Sequence, residues 1–373
     1  MIEKREILII GAGPAGLAAS IEAAKTGAQV LLVDENDSPG GQLFKQIHKF
    51  FGSAKHKAGT RGINIGRELL KQTREAGVEL WLSTTAIGVV EGKQVALVKK
   101  QEDGTEETLV VEAEKILVAC GGAENAVNFD GWTLPGVMGA GAAQTMVNVR
   151  RVLPGRKILM VGSGNVGLIV SYQLMQAGAD VVGIVEAAPR IGGYCVHAGK
   201  IRRAGVPVYL SHTVLHADAA PGGQEVASAV IVELDGQFNP IPGTEKKIDC
   251  DTICIATGLR PQVKLCALLG VRNGFIPELG GWMPLHDENM ETNVKGVYVA
   301  GDTAGVEEAS TAMDEGRLAG VAMAQELGYL TCWEGAQKKQ EIIKRLQALR
   351  LGPFGERRQK AKDRIVAEGK RHE

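Results

Sequence analysis

The stretch Glu6-Ile7-Leu8-Ile9-Ile10-Gly11-Ala12-Gly13-Pro14-Ala15-Gly16 decides how the chain reads. Four apolar residues in a row, Ile7 to Ile10, predict a buried strand of a parallel sheet. A Gly-x-Gly-x-x-Gly loop follows, and then Leu17-Ala18-Ala19-Ser20-Ile21-Glu22-Ala23-Ala24 predicts a helix. Gly11 permits a tight turn, Gly13 lets the backbone approach a pyrophosphate, and Gly16 lets helix and strand pack closely. The helix N-terminus then faces the phosphates. With Pro14 and Ala15 between them, these glycines are the first candidate cofactor-binding residues. A second strand, Gln29 to Val33, ends at Asp34, the acid expected about 20 positions on to accept a ribose hydroxyl. Glu35 beside it is a further candidate.

With 373 residues, 45% of them hydrophobic, the chain has core enough for two domains. Its 49 glycines, about twice the usual share, suit several approaches of backbone to phosphate. A net charge of −1 argues for neither nucleic acid nor a membrane surface. No apolar run reaches the roughly 18 residues of a spanning helix. Met1 to Arg5 lead directly into the first strand and leave no room for a signal peptide. Six scattered cysteines suggest no disulfide framework, so a cytoplasmic protein is expected.

After Asp34 comes Ser38-Pro39-Gly40-Gly41-Gln42, where Gly41 and Gln42 mark a turn at which backbone could approach a flavin or its pyrophosphate. Residues 43–67 hold Lys45, Lys49, Lys55, Lys57, Arg61, Arg67, His48 and His56, with three phenylalanines and no acid. Two readings fit this tract: a solvated basic loop, or a surface for a second phosphate-bearing cofactor or an acidic partner. Gly66 to Ala76 predicts a helix and Val78 to Leu82 a core strand. Three alternating strands near Ala86–Val90, Val95–Lys99 and Thr108–Val111 predict a small inserted antiparallel sheet. Thr85 and Ala86 at its start are candidate cofactor contacts. Lys115 to Ala119 returns to the parallel sheet and ends in Cys120-Gly121, also candidates.

Residues 123–154 are rich in glycine and turns and predict a crossover between domains. The opening pattern then recurs about 150 residues after its first appearance. Lys157 to Val161 is a strand, Gly162-Ser163-Gly164-Asn165-Val166-Gly167 the loop, Leu168 to Ala177 the helix, and Val181 to Val185 a strand ending at Glu186. Two fingerprints, each with its own acid, are far more specific than one. Gly162, Gly164, Asn165, Val166, Gly167 and Glu186 are therefore candidates for a second dinucleotide site. Glu186 favours NAD over NADP, because a carboxylate there accepts from the 2′-hydroxyl and repels a 2′-phosphate; Arg190, four residues on, pulls the other way. ATP or another adenine nucleotide suits the same half-site.

Asp249 to Ala256 is a further strand, and Gly296 to Asp302 another that ends on Gly301-Asp302. A small-residue helix follows, Ala309 to Gln325. If the chain re-enters the first domain here, Asp302 reaches ribityl hydroxyls and the helix start at Thr311 and Ala312 points N–H groups at a flavin, whose anionic reduced form a positive helix end stabilises. The last 40 residues, from Glu334, carry a net charge of +6, and Ile342, Ile343, Leu346 and Leu349 share one helical face. That face docks on its own domain or on a partner.

With both fingerprints and Gly301-Asp302, residues 5 to 330 resemble the two-dinucleotide-binding-domain flavoproteins. The segments Gly40-Gly41-Gln42, Gly131 to Met138 and Gly141-Ala142-Ala143-Gln144 resemble, more narrowly, the alpha-type flavoprotein subunits of heterotetrameric sarcosine oxidase, hydrogen cyanide synthase, opine oxidase and dye-linked proline dehydrogenase. The resemblance implies an α/β fold of two Rossmann-like domains. An FAD domain (1–122 and 257–330) is interrupted by an inserted NAD(P) domain (123–256), and a basic C-terminal tail follows (331–373). It implies FAD in the first site and NAD, or an adenine nucleotide, in the second. It further implies a hetero-oligomer with a second flavoprotein that oxidises an amine or amino acid. Cys120 stands where such proteins usually carry threonine, and Cys332 is the one cysteine beyond residue 300, so an iron–sulfur cluster would come from a separate subunit.

The sequence contains no Cys-x-x-Cys. Cys250 and Cys254, on one expected strand, would lie about 13 Å apart, beyond the roughly 7 Å that a disulfide spans. No metal site and no catalytic side chain can be assigned, which leaves the cofactor to carry the chemistry. Three functions stay open: an FAD-dependent subunit of a multi-subunit amino-acid or amine dehydrogenase, a stand-alone NAD(P)H:acceptor reductase, and a non-catalytic nucleotide-binding assembly subunit.

Overall fold

The computed structural model describes residues 2–370, together with the backbone but not the side chains of residues 353 and 354. It divides the chain into two units: residues 1–123 with 260–373, and residues 124–259.

Unit 1 opens with β1 (Ile2–Ile10), α1 (Pro14–Ala24), β2 (Val30–Val33), α2 (Gly62–Glu75), β3 (Glu79–Trp81), β4 (Thr84–Val89), β5 (Gln94–Lys100) and β6 (Glu106–Val118). Ile7 to Ile10 and Val30 to Val33 are buried throughout, as strands covered on both faces must be. The strand order is β3-β2-β1-β6-β5-β4. The expected inserted sheet is not separate. β6 is one 13-residue strand in which residues 106–112 pair antiparallel with β5 and residues 110–118 pair parallel with β1. One long strand thus serves as both the expected Thr108–Val111 and Lys115–Ala119 strands. Helix α1 begins at Pro14, whose ring presets φ and whose missing N–H costs nothing at a first turn.

The chain passes through β7 (Gly122–Glu124) into unit 2. There it forms β8 (Val137–Gly139), α3 (Ala140–Thr145), β9 (Lys157–Val161), α4 (Asn165–Gln176), β10 (Asp180–Glu186), α5 (Cys195–Arg203), β11 (Val208–Leu210), β12 (His212–Ala219), β13 (Val226–Glu233), β14 (Lys246–Asp249) and β15 (Thr252–Ile255). The parallel sheet runs β11-β10-β9-β15-β8, and a three-stranded antiparallel sheet, β12-β13-β14, accompanies it. The turn-rich crossover is therefore partly ordered: Val137 to Gly139 form an edge strand. The expected strand from Asp249 to Ala256 is broken, since Cys250 and Asp251 lie in a turn between β14 and β15.

Through β16 (Leu259–Pro261) the chain returns to unit 1, with α6 (Lys264–Leu268), the hairpin β17 (Asn273–Ile276) and β18 (Gly281–Pro284), and β19 (Val297–Val299). β19 pairs with the last residues of β6. A 3₁₀ turn, Gly301–Ala304, leads to α7 (Ala309–Glu326), α8 (Cys332–Leu349) and α9 (Gly352–Lys370). α7 lies against α1 because its small residues permit it. A Cβ on Gly316 or Gly320 would collide with the carbonyl of Ala15 or Ala19. α8 buries Ile342 and Leu346 in the core around the parallel sheet. α9 buries Ala361 and Ile365 among Ile276, Leu279, Met283 and Leu285.

Candidate functional site

Gly11, at φ +106°, has no room for a side chain, because a Cβ would strike the Ala119 carbonyl. A Cβ on Gly16 would strike the Gly11 carbonyl, so these two glycines are demanded by packing. Gly13 differs: it is the N-cap of α1, in extended backbone, and a Cβ there meets nothing within 4 Å. No side chain caps this helix. Its first N–H groups and the space over Gly13 form an open, donor-lined cradle of the kind that takes phosphate.

The other predicted residues largely gather around that cradle. Asp34 Oδ2 accepts from Ala12 N (2.6 Å), and Oδ1 accepts from Asn36 N (2.9 Å) and Asn36 Nδ2 (2.8 Å). The acid thus braces the loop, and of its roughly four lone-pair sites one, on Oδ2, is left for a hydroxyl. Gly40 N donates to Ala12 O (2.7 Å), and a Cβ on Gly41 would lie 3.1 Å from Gly13 Cα. Gln42, next to it, is exposed. Gly121 N donates to Thr303 Oγ1 at 2.9 Å, which ties Cys120-Gly121 to the Gly301–Ala304 turn. At Gly301, φ +68°, a Cβ would come 3.0 Å from Ala15 Cβ and 3.5 Å from Ala312 Cβ. Thr311 spends its hydroxyl on Glu308 O (2.6 Å). Of the other candidates, Glu35 and Thr85 are exposed, and Ala86 on β4 is half-buried against the core. The neighbour Thr84 instead donates its N–H to Asp34 O at 2.8 Å.

Two groups here have perturbed protonation. Burial pushes the Cys120 thiol up to about 12, with Glu35 and Asp34 adding to the effect, so it is no nucleophile at neutral pH. Burial likewise lifts Asp302 to about 6; the Glu307 N–H and the Lys362 charge oppose it, and the Glu315 and Glu307 carboxylates raise it further. Asp302 Oδ1 accepts a long bond from Glu307 N (3.4 Å), which leaves a desolvated carboxylate with acceptor capacity. That is what a hydroxyl-bearing ligand supplies.

Unit 2 repeats the frame. Gly162, at φ +106°, would clash with the Ala256 carbonyl, and Gly167 with the Gly162 carbonyl. Gly164 caps α4 with nothing within 4 Å of an added Cβ. Glu186 Oε2 accepts from Ser163 N (2.8 Å) and Ser163 Oγ (2.6 Å), and its Oε1 accepts from Ala188 N (2.9 Å). Val166 is exposed on the first turn of α4, and Asn165 Oδ1 accepts from Tyr194 N (2.8 Å). The sequence reading missed Ser163 as a side chain that matters. It also missed Gly192-Gly193, although these follow Glu186 at the spacing by which Gly40-Gly41 follow Asp34. That second repeat was the available signal.

All six cysteines are free thiols. Burial, followed by neighbouring carboxylates, pushes Cys250 and Cys254 up to about 12. Among the described residues no cluster of His, Cys, Asp and Glu could hold a metal, and no helix is long and apolar enough to cross a membrane.

Fold and donor set define a protein with one dinucleotide cradle in each of two α/β units. Residues 5–316 match the family model described as pyridine nucleotide-disulphide oxidoreductase. The chain belongs to that family and is an FAD-dependent oxidoreductase of a group that binds FAD and NAD(P). An opine oxidase subunit of Rhizobium meliloti (strain 1021) is 29% identical, over 87% of this chain and 71% of that one. The HcnB subunit of hydrogen cyanide synthase from Pseudomonas aeruginosa is 27% identical, over 92% and 76%. The alpha chain of sarcosine oxidase from Rhizobium meliloti (strain 1021) is 29% identical over 87% of this chain, which spans only 31% of that protein. The chain is thus related to subunits of multi-subunit enzymes. Among solved structures, L-proline dehydrogenase from P. horikoshii superposes with a TM-score of 0.67 at 21% identity, over 92% of this chain and 60% of that one. Thioredoxin reductase of T. acidophilum gives 0.70 at 18%, over 87% and 99%. These two likenesses show the fold.

Proposed function

We propose that unit 1 holds FAD and unit 2 holds NAD, and that the chain is the flavoprotein subunit of a multi-subunit amino-acid or amine dehydrogenase. The observation that carries this reading is the doubled cradle, in which Gly13 and Gly164 are the open glycines while their flanking glycines are closed by packing. In unit 1, Gly11, Gly13, Pro14, Ala15 and Gly16 accommodate the pyrophosphate. Asp34 would accept from the adenosine ribose and Asp302 from the ribityl chain, and the free N–H groups in the first turn of α7, up to Thr311, would serve the flavin; Ala312 N, expected among them, instead donates to Glu308 O within the helix (3.1 Å). In unit 2, Gly162, Gly164, Asn165, Val166 and Gly167 take the second pyrophosphate, and Glu186 reads the 2′-hydroxyl. Bound in unit 1, a flavin supplies hydride acceptance from a reduced nicotinamide and one-electron release to a partner.

Support for a partner that handles the substrate comes from two directions. The Cys120 thiol beside the cradle of unit 1 is held protonated at neutral pH and offers no nucleophile there. The relatives named above are subunits of oxidases and synthases. The partner class is a second flavoprotein that oxidises the amine, joined by an iron–sulfur subunit, in the cytoplasm.

The test is to purify the chain alone and with its native partners. Mixed with NADH, the isolated chain bleaches its flavin promptly yet oxidises no amino acid at a useful rate. Robust dye-linked oxidation of an amino acid by the isolated chain overturns the division of labour, and absence of bleaching assigns the chain to assembly.

A further inference from the structure

Four charged side chains meet behind the Gly301–Ala304 turn, none more than 8% exposed: Glu307, Glu315, Arg350 and Lys362. Arg350 grips both oxygens of Glu307, with Nε donating to Oε2 at 3.0 Å and Nη2 to Oε1 at 2.6 Å. The same Nη2 donates to Glu315 Oε1 at 2.7 Å. Lys362 Nζ lies 2.7 Å from Glu315 Oε1 and 3.7 Å from Glu307 Oε1, and donates to Ala304 O at 2.9 Å. The Glu315 carboxylate and the Glu307 backbone then reach forward. Glu315 Oε2 accepts from Gly301 N (3.1 Å), and Glu307 N donates to Asp302 Oδ1 (3.4 Å). Arg350 ends α8 and Lys362 lies on α9, both beyond the family-matched residues 5–316.

We propose that Arg350 and Lys362 are positioning residues of the flavin site: through Glu315 and Glu307 they fix the Gly301-Asp302 turn and keep Asp302 an ionised acceptor. The proposal rests on the assignment of Asp302 to FAD given above. Its physical basis is charge balance. An unpaired buried ion costs several kcal/mol, and here two cations meet the two acids. Asp302 is a fifth, poorly partnered charge, and Lys362 is the cation whose field favours its ionised form. Without Lys362, three carboxylates face one cation, and protonating Asp302 is the cheapest relief. A neutral carboxyl accepts hydroxyl bonds about half as strongly as a carboxylate. His286 is a further titratable group near these cations, with Asp287 beside it. Burial, with Lys362 and Arg350 assisting, holds it down at about 4, so it stays neutral above pH 5.

FAD affinity, read by flavin fluorescence between pH 5 and 8, tests this on the full chain. Wild-type affinity falls as pH drops through about 6, where Asp302 protonates. Lys362→Met weakens FAD about tenfold at pH 7 and moves that midpoint upward, and Lys370→Met, on the same helix but exposed, changes neither. If Lys362→Met does not fold, the charge-balanced pair Glu307→Gln with Lys362→Met decides, because it removes one charge of each sign near Asp302. That pair keeps the wild-type midpoint, and a midpoint raised in it overturns the charge-balance basis. A folded Lys362→Met with wild-type affinity and midpoint overturns the proposal, as does an equal shift in Lys370→Met. Asp302→Ala separates the two levels. Unchanged FAD binding there removes the assignment of Asp302 itself, whereas weakened binding beside a silent Lys362→Met removes only the role of the cations.

Discussion

The two cradles are built on the same backbone and finished differently. In each, the first glycine sits at φ +106°, the second is open and the third is closed by the first one's carbonyl. In each, the strand-end acid accepts from the residue between the first two glycines, Ala12 N at 2.6 Å or Ser163 N at 2.8 Å. A backbone bond from the following glycine pair closes the loop in both, Gly40 N to Ala12 O (2.7 Å) and Gly193 N to Ser163 O (2.8 Å). The second copy holds one more residue between its first glycine and its acid, and a bulge in β10 between Val181 and Gly183 absorbs it. The side chains diverge. Unit 2 ties its loop with Ser163 and Asn165, whereas Ala12 and Pro14 offer no such bonds in unit 1. Unit 1 is buttressed from beyond the fingerprint, by Gly301 against Ala15 and by the charges behind that turn. Backbone repetition thus makes two glycine cradles, and the surrounding side chains decide how each is held in shape.

The sharpest break of this comparison is at the closed glycines. Gly16→Val or Gly167→Val drives a side chain into a backbone carbonyl, so each should cost at least about 3 kcal/mol and prevent that unit from folding. Circular dichroism and thermal melting check it, and a native melting curve for either variant would disprove the tight packing. The open glycines should behave oppositely. Gly13→Val folds and loses FAD while keeping nucleotide binding in unit 2, and Gly164→Val does the reverse. Retention of full flavin content in folded Gly13→Val would sink the assignment of the first cradle.

A smaller effect is expected at Glu186. Because this carboxylate also holds Ser163 and Ala188, its removal loosens the loop for every ligand. The ratio of NAD to NADP affinity cancels that shared loss. Wild type should prefer NAD about tenfold or more, and Glu186→Gln should bring the ratio near one, by isothermal titration. A wild-type preference for NADP would hand the selectivity to Arg190. Smallest is Ser163→Ala, which removes the hydroxyl's bond to Glu186 and the one it accepts from Gly192 N, and should cost about 1–2 kcal/mol in the stability of unit 2. Its mirror, Ala12→Ser, should stabilise unit 1 by no more than that if the two frames are as alike as their backbones.

The strands, the two loops, their acids and the small-residue helix α7 were legible from the sequence, because each depends on neighbours a few residues apart. An apolar run, a glycine at a fixed spacing or a residue type at a strand end carries its own local physics. Glu186 was legible for the same reason, but its task of bracing Ser163 was not, since that bond joins residues 23 apart. The continuity of β6 was hidden because charged residues at Glu112 and Glu114 interrupt its apolar pattern. The basic surplus of the last 40 residues could be counted, yet its use could not. Arg350 and Lys362 look like ordinary members of a solvated helical face, and only packing takes them out of water to meet Glu307 and Glu315. Local sequence determined the glycine loops and their acids. Tertiary structure decided which distant charges stand behind them, because a buried ion is tolerated only where folding delivers its partner.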